Sequence, residues 1–308
     1  MALDQEKAEN ADPAYVRADP RIYEDQEAEF WENLMKRFGD TDHILFEMYN
    51  EPTGGKNYPQ FESGEKRFQD VTGRYVTTLA GYEYTWNEIL VPVYKRMFDI
   101  IRQYDPDSIL IANTPEAGQH AEVSILWPIT DYNNVAYSVH MWSDGIMEKV
   151  CNARVIQAME RGACLYNTEA GFYPVMGGAY EYLGIEANVD NTIWYMHNYW
   201  EDYLNNIINA YEVNYNYFWL QFDSKHPMNP GGQCCIFAYG EITNEQKSGW
   251  TDDQFTCNGE YMHHWFRTRA GLEDGSWFTR WHEENDAYYD QLIIDELGAL
   301  PQWKPYDK

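Results

Sequence analysis

The chain has 308 residues, 44% of them hydrophobic and 23% charged, which excludes a short peptide, a disordered tail and a disulfide-stapled miniprotein. A folded chain of this length buries about three-quarters of the surface that its unfolded form exposes, so a substantial core is expected. Fifty acidic residues against 22 basic ones give a net charge of −28; this repels phosphate backbones and anionic lipid heads, and argues against nucleic acid or a membrane surface as partner.

In chain order, Trp31, Leu34, Met35 and Phe38 fall at i, i+3, i+4 and i+7 with Gly39 as a stop, which predicts a helix over 21–38. His43 to Asn50 is short, bulky and apolar and predicts a buried strand. Trp86, Leu90, Val93, Met97, Ile100, Ile101 and Tyr104 mark a second helix, opened by Thr85-Trp-Asn-Glu88 at capping-box spacing. Further strands are predicted over 109–113, 135–140, 163–167 and 213–220, separated by helices near 144–161 and 189–212. The tail from Asp223 carries a Pro/Gly/Cys loop at 226–235 and aromatic-rich stretches with Trp265, Trp277, Trp281 and Trp303.

Apolar strands alternating with helical crossovers predict a parallel sheet, because only a crossover of a dozen or more residues returns the chain to the same edge. Each strand ends in a group suited to chemistry: Asn50 with Glu51, Asn113, His140, Glu169 and Trp219. Chemistry gathered at the carboxyl ends of parallel strands is what a (β/α) barrel produces. A doubly wound sheet would do the same, but no GxGxxG or GxxxxGKS phosphate loop is present.

Other chemistries lack their patterns. The five cysteines, Cys151, Cys164, Cys234, Cys235 and Cys257, form no CxxC pair, and the histidines form no HxH or HExxH pattern, so no metal site is expected. No GxSxG elbow is present. No stretch approaches the roughly 18 apolar residues of a membrane span, and Met1 to Pro20 reads as having no signal peptide.

Two glutamates remain. Glu51 follows an apolar strand in Phe46-Glu-Met-Tyr-Asn-Glu-Pro52, where partial desolvation suits a general acid and Pro52 stops the strand. Glu169 follows another in Leu165-Tyr-Asn-Thr-Glu-Ala-Gly171, where Gly171 is expected to turn the chain sharply and leave room beside the carboxylate. Two such acids across one barrel mouth match the demand of glycoside hydrolysis, one protonating the leaving oxygen and one attacking the anomeric carbon. Trp219 offers an indole face for a pyranose ring, with core filler as the competing reading, and Trp142 stands on the turn after His140.

The order Asn50-Glu51-Pro52, His140, Thr168-Glu169-Ala-Gly171 and Trp219 resembles the retaining enzymes of glycoside hydrolase family 5, the cellulase family, over roughly residues 12–224. Phe30-Trp31-Glu-Asn-Leu34 through Pro52 is similar to that family's helix and strand four, Tyr104 to Ile111 to the lead-in of strand five, and Tyr132 to His140 to strand six. The resemblance implies a (β/α)8 barrel with Glu51 as acid/base and Glu169 as nucleophile. It implies Asn50 as hydrogen-bond partner of sugar and nucleophile, His140 as a site-lining donor, and Trp219 as platform beneath the sugar. Trp142 stands where the family usually has a tyrosine bonded to the nucleophile, and its indole can donate in a different geometry.

In the family the acid/base glutamate follows strand four, whereas Glu51 lies 50 residues from the start. Three βα units of at least about 30 residues each should precede it, so the barrel is expected to be incomplete at its N-terminus, with strands four to eight present. Residues 1–308 are expected to form one catalytic domain, with 223–308 supplying the last helix and covering loops. The segment between Pro52 and Trp86, with Tyr58, Phe61, Phe68 and Tyr82, reads as a lid or subsite wall or as a self-packed loop.

The function expected is that of an endo-β-1,4-glucanase acting by double displacement on a polysaccharide or oligosaccharide. It needs no cofactor and no metal, works as a monomer, and is secreted in its full-length parent. The alternatives are a hydrolase of mannan, xylan or β-1,3-glucan, or a non-catalytic carbohydrate-binding protein derived from such a barrel.

Overall fold

The computed structural model describes residues 20–52, 68–69, 75–76, 79–143, 146–172, 180, 183–214 and 255–301. They divide into two compact units, one running up to Met141 and including Val150–Thr168, the other comprising Trp142–Lys149 and Glu169 onward.

In the first unit a 3-10 turn, Pro20–Tyr23, leads into α1 (Glu24–Phe38), which buries Trp31 and Met35. Glu24 and Asp25 at its start and Lys36 and Arg37 at its end complement the helix dipole. β1 (Phe46–Met48) is shorter than the strand expected over 43–50. An antiparallel pair, β2 (Phe68–Gln69) and β3 (Tyr75–Val76), follows. Tyr58 and Phe61 lie outside the described residues, and Tyr82, expected in a lid or loop, is a buried helix residue whose ring lies tilted against His120.

The second helix begins earlier than its sequence signature suggests. α2 (Leu79–Tyr84) passes through a π-helical segment, Thr85–Leu90, into α3 (Val91–Arg102). Thr85 is therefore a fully buried interior residue and not a cap. Tyr82, buried one turn ahead of Trp86 on the same face, extends the apolar stripe toward the N-terminus and carries the helix past the capping-box spacing.

β4 (Leu110–Asn113), β5 (Val135–Ser143), α4 (Ile146–Glu160) and β6 (Leu165–Phe172) complete the alternation, and the sheet order is β1-β4-β5-β6. β1 and β4 pair in parallel with Phe46 opposite Leu110 and Glu47 opposite Ile111. β4 and β5 pair in parallel with Asn113 opposite Ser138. β6 joins β5 through the Tyr137 amide, which donates to the Cys164 carbonyl at 2.9 Å.

Side-chain alternation gives this sheet two distinct faces. Phe46, Met48, Leu110, Ala112 and Tyr137 share one apolar core with Trp31 and Met35 of α1 and Val93, Tyr94, Met97, Phe98 and Ile101 of α3. The opposite face receives Glu47, Asn113, Ser138 and His140. Two side-chain bonds anchor the helical layer: Trp86 Nε1 donates to the Trp127 carbonyl at 2.8 Å and Tyr94 Oη to the Asn113 carbonyl at 2.9 Å.

In the second unit α5 (Val189–Tyr195), capped by Asn188 accepting from the Asn191 amide, runs on through π-helical and α-helical turns to Asn209. It buries Trp194, Tyr195, Met196, Trp200, Tyr203 and Leu204. The tail forms two helices, α6 (Cys257–Arg269), capped by the Thr256 hydroxyl, and α7 (Ser276–Leu297). Trp194 Nε1 donates to Asp290 at 2.9 Å and Asn191 Nδ2 to Glu296 at 2.9 Å, fastening α5 to α7. Of the strand expected over 213–220, only Val213 and Asn214 are described, and neither is in a strand; the 226–235 loop and Trp303 lie outside the described residues.

Candidate active site

The polar face of the sheet in the first unit carries a continuous hydrogen-bond network. Asn113, fully buried at the end of β4, spends its Nδ2 group on two acceptors, Glu47 Oε1 at 3.0 Å and His140 Nε2 at 3.3 Å. An amide NH2 can only donate, so His140 accepts on Nε2 and carries its proton on Nδ1. That Nδ1–H donates to Glu51 Oε1 at 3.1 Å. The imidazole is thus a neutral, oriented donor to the Glu51 carboxyl, fixed from behind by an asparagine.

Glu47 is the site residue that the sequence reading did not single out. It sits in mid-strand between buried Phe46 and Met48, and its Oε1 also accepts from Thr168 Oγ1 at 2.8 Å, while Ser138 Oγ bonds to the same threonine hydroxyl. Burial pushes its carboxyl up, but the polar groups around it, among them the Ser138 and Thr168 hydroxyls, outweigh that and hold it below the usual carboxylate range. A charged residue alternating with core residues was the available signal, since a buried charge must be paired.

Glu51 is held by an unusual backbone. Both Tyr49 (φ 56) and Glu51 (φ 48) adopt left-handed conformations, which cost about 1–3 kcal/mol each in non-glycine residues and persist where surroundings enforce them. The turn is clamped by Pro52, whose carbonyl accepts from the Ala117 amide at 3.1 Å. Gly118 (φ 75) lets the same 114–119 loop lie against His140, where a Cβ would fall 2.7 Å from the His140 nitrogen. Asn50, in this turn, is exposed.

β5 and β6 run further than expected, so His140 and Glu169 lie within strands and not at their ends. Just past His140 the Met141 amide donates to the side chain of Asn167, whose Oδ1 accepts at 3.3 Å. In the second unit Trp142 Nε1 donates to Glu169 Oε1 at 3.1 Å. Gly171 is extended strand and makes no turn; its missing side chain accommodates the Trp142 ring, since a Cβ there would sit 2.4 Å from Cζ3. Trp219 lies outside the described residues.

Comparison with known proteins bears on the family and the fold. Endoglucanase N of Pectobacterium atrosepticum is 22% identical over 257 residues, covering 83% of this chain and 46% of that protein. Endoglucanase A of Evansella cellulosilytica is 21% identical over 287 residues, covering 93% and 48%. The chain thus spans less than half the length of these curated relatives. Among solved structures, the catalytic domain of alkaline cellulase K matches with a TM-score of 0.52 at 18% identity over 83% of this chain and 66% of that one. The catalytic domain of Thermobifida fusca endoglucanase Cel5A matches with 0.52 at 16% identity over 82% and 66%. A variant of the latter, solved with cellotetraose, matches with 0.50 at 16% identity over the same shares. These likenesses show the fold, that of the (β/α)8-barrel cellulases, of which strands β1, β4, β5 and β6 form a parallel part. Residues 7–206, well over half of the chain, match the model described as Cellulase (glycosyl hydrolase family 5), and the chain belongs to that family.

Proposed function

We propose that this chain is a retaining β-glycan hydrolase, most simply an endo-β-1,4-glucanase, and that residues 1–308 act as one catalytic domain. The observation that supports this reading is that each glutamate of the motif pair is held by its own N–H donor, Glu51 by His140 and Glu169 by Trp142, at 3.1 Å in both cases. In the first step a Glu169 oxygen attacks the anomeric carbon, the glycosidic bond breaks, and the proton of Glu51 passes to the leaving oxygen. In the second, Glu51 takes a proton from water, the water oxygen attacks the same carbon, and the Glu169 ester bond breaks to release a product of retained configuration.

The remaining roles follow from this assignment. The His140 bond engages Oε1 of Glu51, so the transferred proton travels on Oε2. Asn50 serves the sugar and Trp219 is the platform beneath it. The substrate is a neutral polymer, in keeping with a chain of net charge −28, and a polymer that crosses no bilayer is attacked outside the cell, so the full-length parent is a secreted protein. Among the described residues no helix is long and apolar enough to cross a membrane.

The test is turnover of soluble β-1,4-glucan, mannan, xylan and β-1,3-glucan by the chain and by Glu169→Ala. Hydrolysis of one glycan that disappears in the variant, with the circular dichroism spectrum unchanged, is expected. Undiminished activity in the variant rejects the assignment, and binding without cleavage by the parent chain favours a carbohydrate-binding role instead.

A further inference from the structure

A second cluster of chemistry-bearing side chains lies wholly within the second unit, on facing helices that the glycosidase reading does not use. His197 and Glu201 stand four residues apart on the helical run that continues α5, and His282 and Asp286 stand four residues apart on α7. Each pair therefore shares one helix face. One ligand atom from each of His197, Glu201 and His282 lies within 4.8 Å of the other two.

The geometry points to a structural site for a tetrahedral divalent transition metal of the zinc class, ligated by His197, Glu201 and His282. Glu201 Oε2 is the common vertex, 3.6 Å from His197 Nδ1 and 3.2 Å from His282 Nε2. Metal–ligand bonds of about 2.0–2.1 Å at tetrahedral angles put ligand atoms about 3.3 Å apart, so both edges already have the length that an ion requires.

Two independent observations favour a ligand here over a simple ion pair. The first is His197 itself: it is 3% exposed, its ring lies stacked on Trp281 with Tyr261 at its edge, and neither ring nitrogen has a hydrogen-bond partner. Buried imidazole nitrogens are normally satisfied, and here Nδ1 is aimed toward Glu201 from just beyond hydrogen-bond distance. The second is the backing of His282, whose Nδ1 bonds to Asp286 Oδ1 at 2.8 Å. A carboxylate on the far nitrogen holds the Nδ1–H, so that once the Nε2 proton now donated to Glu201 Oε2 is released the Nε2 lone pair faces the site, the arrangement by which metal-bound histidines are oriented and made more basic. Two imidazoles and one carboxylate, with the fourth position left to water, suit zinc better than calcium or magnesium, which prefer all-oxygen shells. The ion would clamp α7 to the helical run 196–209.

The proposal does not depend on the glycosidase assignment, and its test reads metal alone. The full chain, stripped with chelator and dialysed, is titrated with Zn2+ by calorimetry and with Co2+ by visible absorption, with thermal unfolding followed in parallel. Binding of about one equivalent, intense tetrahedral Co2+ bands without a thiolate charge-transfer band, and a raised unfolding midpoint are expected. Binding should be lost in His197→Ala and His282→Ala and weakened about 10- to 100-fold in Asp286→Asn, which keeps all three ligands. Because His197 is buried and its variant could misfold, the half-exposed His282 and Asp286 variants are decisive. No binding, or binding that these two substitutions leave unchanged, overturns the site and leaves His282 as a plain ion-pair partner of Glu201 and Asp286.

Discussion

Substituting Gly171 by alanine should reduce catalysis through Trp142, without direct contact with substrate. The new Cβ would fall 2.4 Å from Trp142 Cζ3, 3.0 Å from Cε3 and 3.1 Å from Cη2. Ordinary carbon contacts lie near 3.5–4.0 Å, so the indole must retreat by about 1 Å. A ring displaced by that much stretches or misaligns the Nε1···Oε1 bond to Glu169, now 3.1 Å. A hydrogen bond to a charged group contributes about 1.5–3 kcal/mol, which corresponds to a loss of roughly 10- to 150-fold if the bond acts in the transition state. The assay is kcat/KM on a soluble β-glucan for Gly171→Ala, Trp142→Phe and the double variant, with circular dichroism as a folding control. Since both substitutions remove one interaction, the double variant should be no worse than the poorer single one. Full activity in Gly171→Ala, or losses that multiply in the double variant, would refute the reasoning.

Two carboxylates of the first unit should respond to pH in opposite senses. Burial, with the charge of Glu24 added, pushes Glu27 up to about 7. Its unfolded form ionises near 4.5, so it favours the fold fully below that pH and loses its contribution as pH rises through 7, by about 3 kcal/mol in all. Glu27→Gln should therefore gain on the wild type in urea unfolding between pH 5 and 8.5, and a constant difference across that range would contradict the account. Glu47 is held below its ordinary range, so its contribution is present above pH 4.5 and is lost as pH falls further. Glu47→Gln should lower stability at pH 7 by about 1–3 kcal/mol and narrow the gap in acid; equal stability at pH 7 would show that the Asn113–Thr168 network does not depend on the charge.

Elements with one dominant period were legible in the sequence. α1 matches because a single apolar stripe, Trp31 and Met35, is buried in the core, and β4 because all four of its residues are buried, which makes an apolar run unambiguous. Local signals failed where tertiary packing overrode them. Thr85-Trp-Asn-Glu88 has capping-box spacing, but burial of Tyr82 extends the helix past it. Gly171 looked like a turn residue, whereas the space it leaves is filled by Trp142, 29 positions earlier in the chain. Glu47 was hidden because attention to strand ends passes over a charge in mid-strand. The His197–Glu201–His282 cluster was invisible to contiguous motif patterns, since Glu201 and His282 are 81 residues apart and meet only when two helices pack.

The central claim is that Glu169 forms a covalent bond to the sugar while Glu51 manages the proton. It is tested most directly by incubating the chain with a 2-deoxy-2-fluoro-β-cellobiosyl donor carrying a good leaving group, then locating the label by peptide mass spectrometry. The account predicts a stable adduct on Glu169, within 165–172, that is absent in Glu169→Gln and still forms in Glu51→Gln, whose acid is not needed for an activated leaving group. A label on any other carboxylate, or turnover of glucan to product of inverted configuration with no label at all, would contradict it.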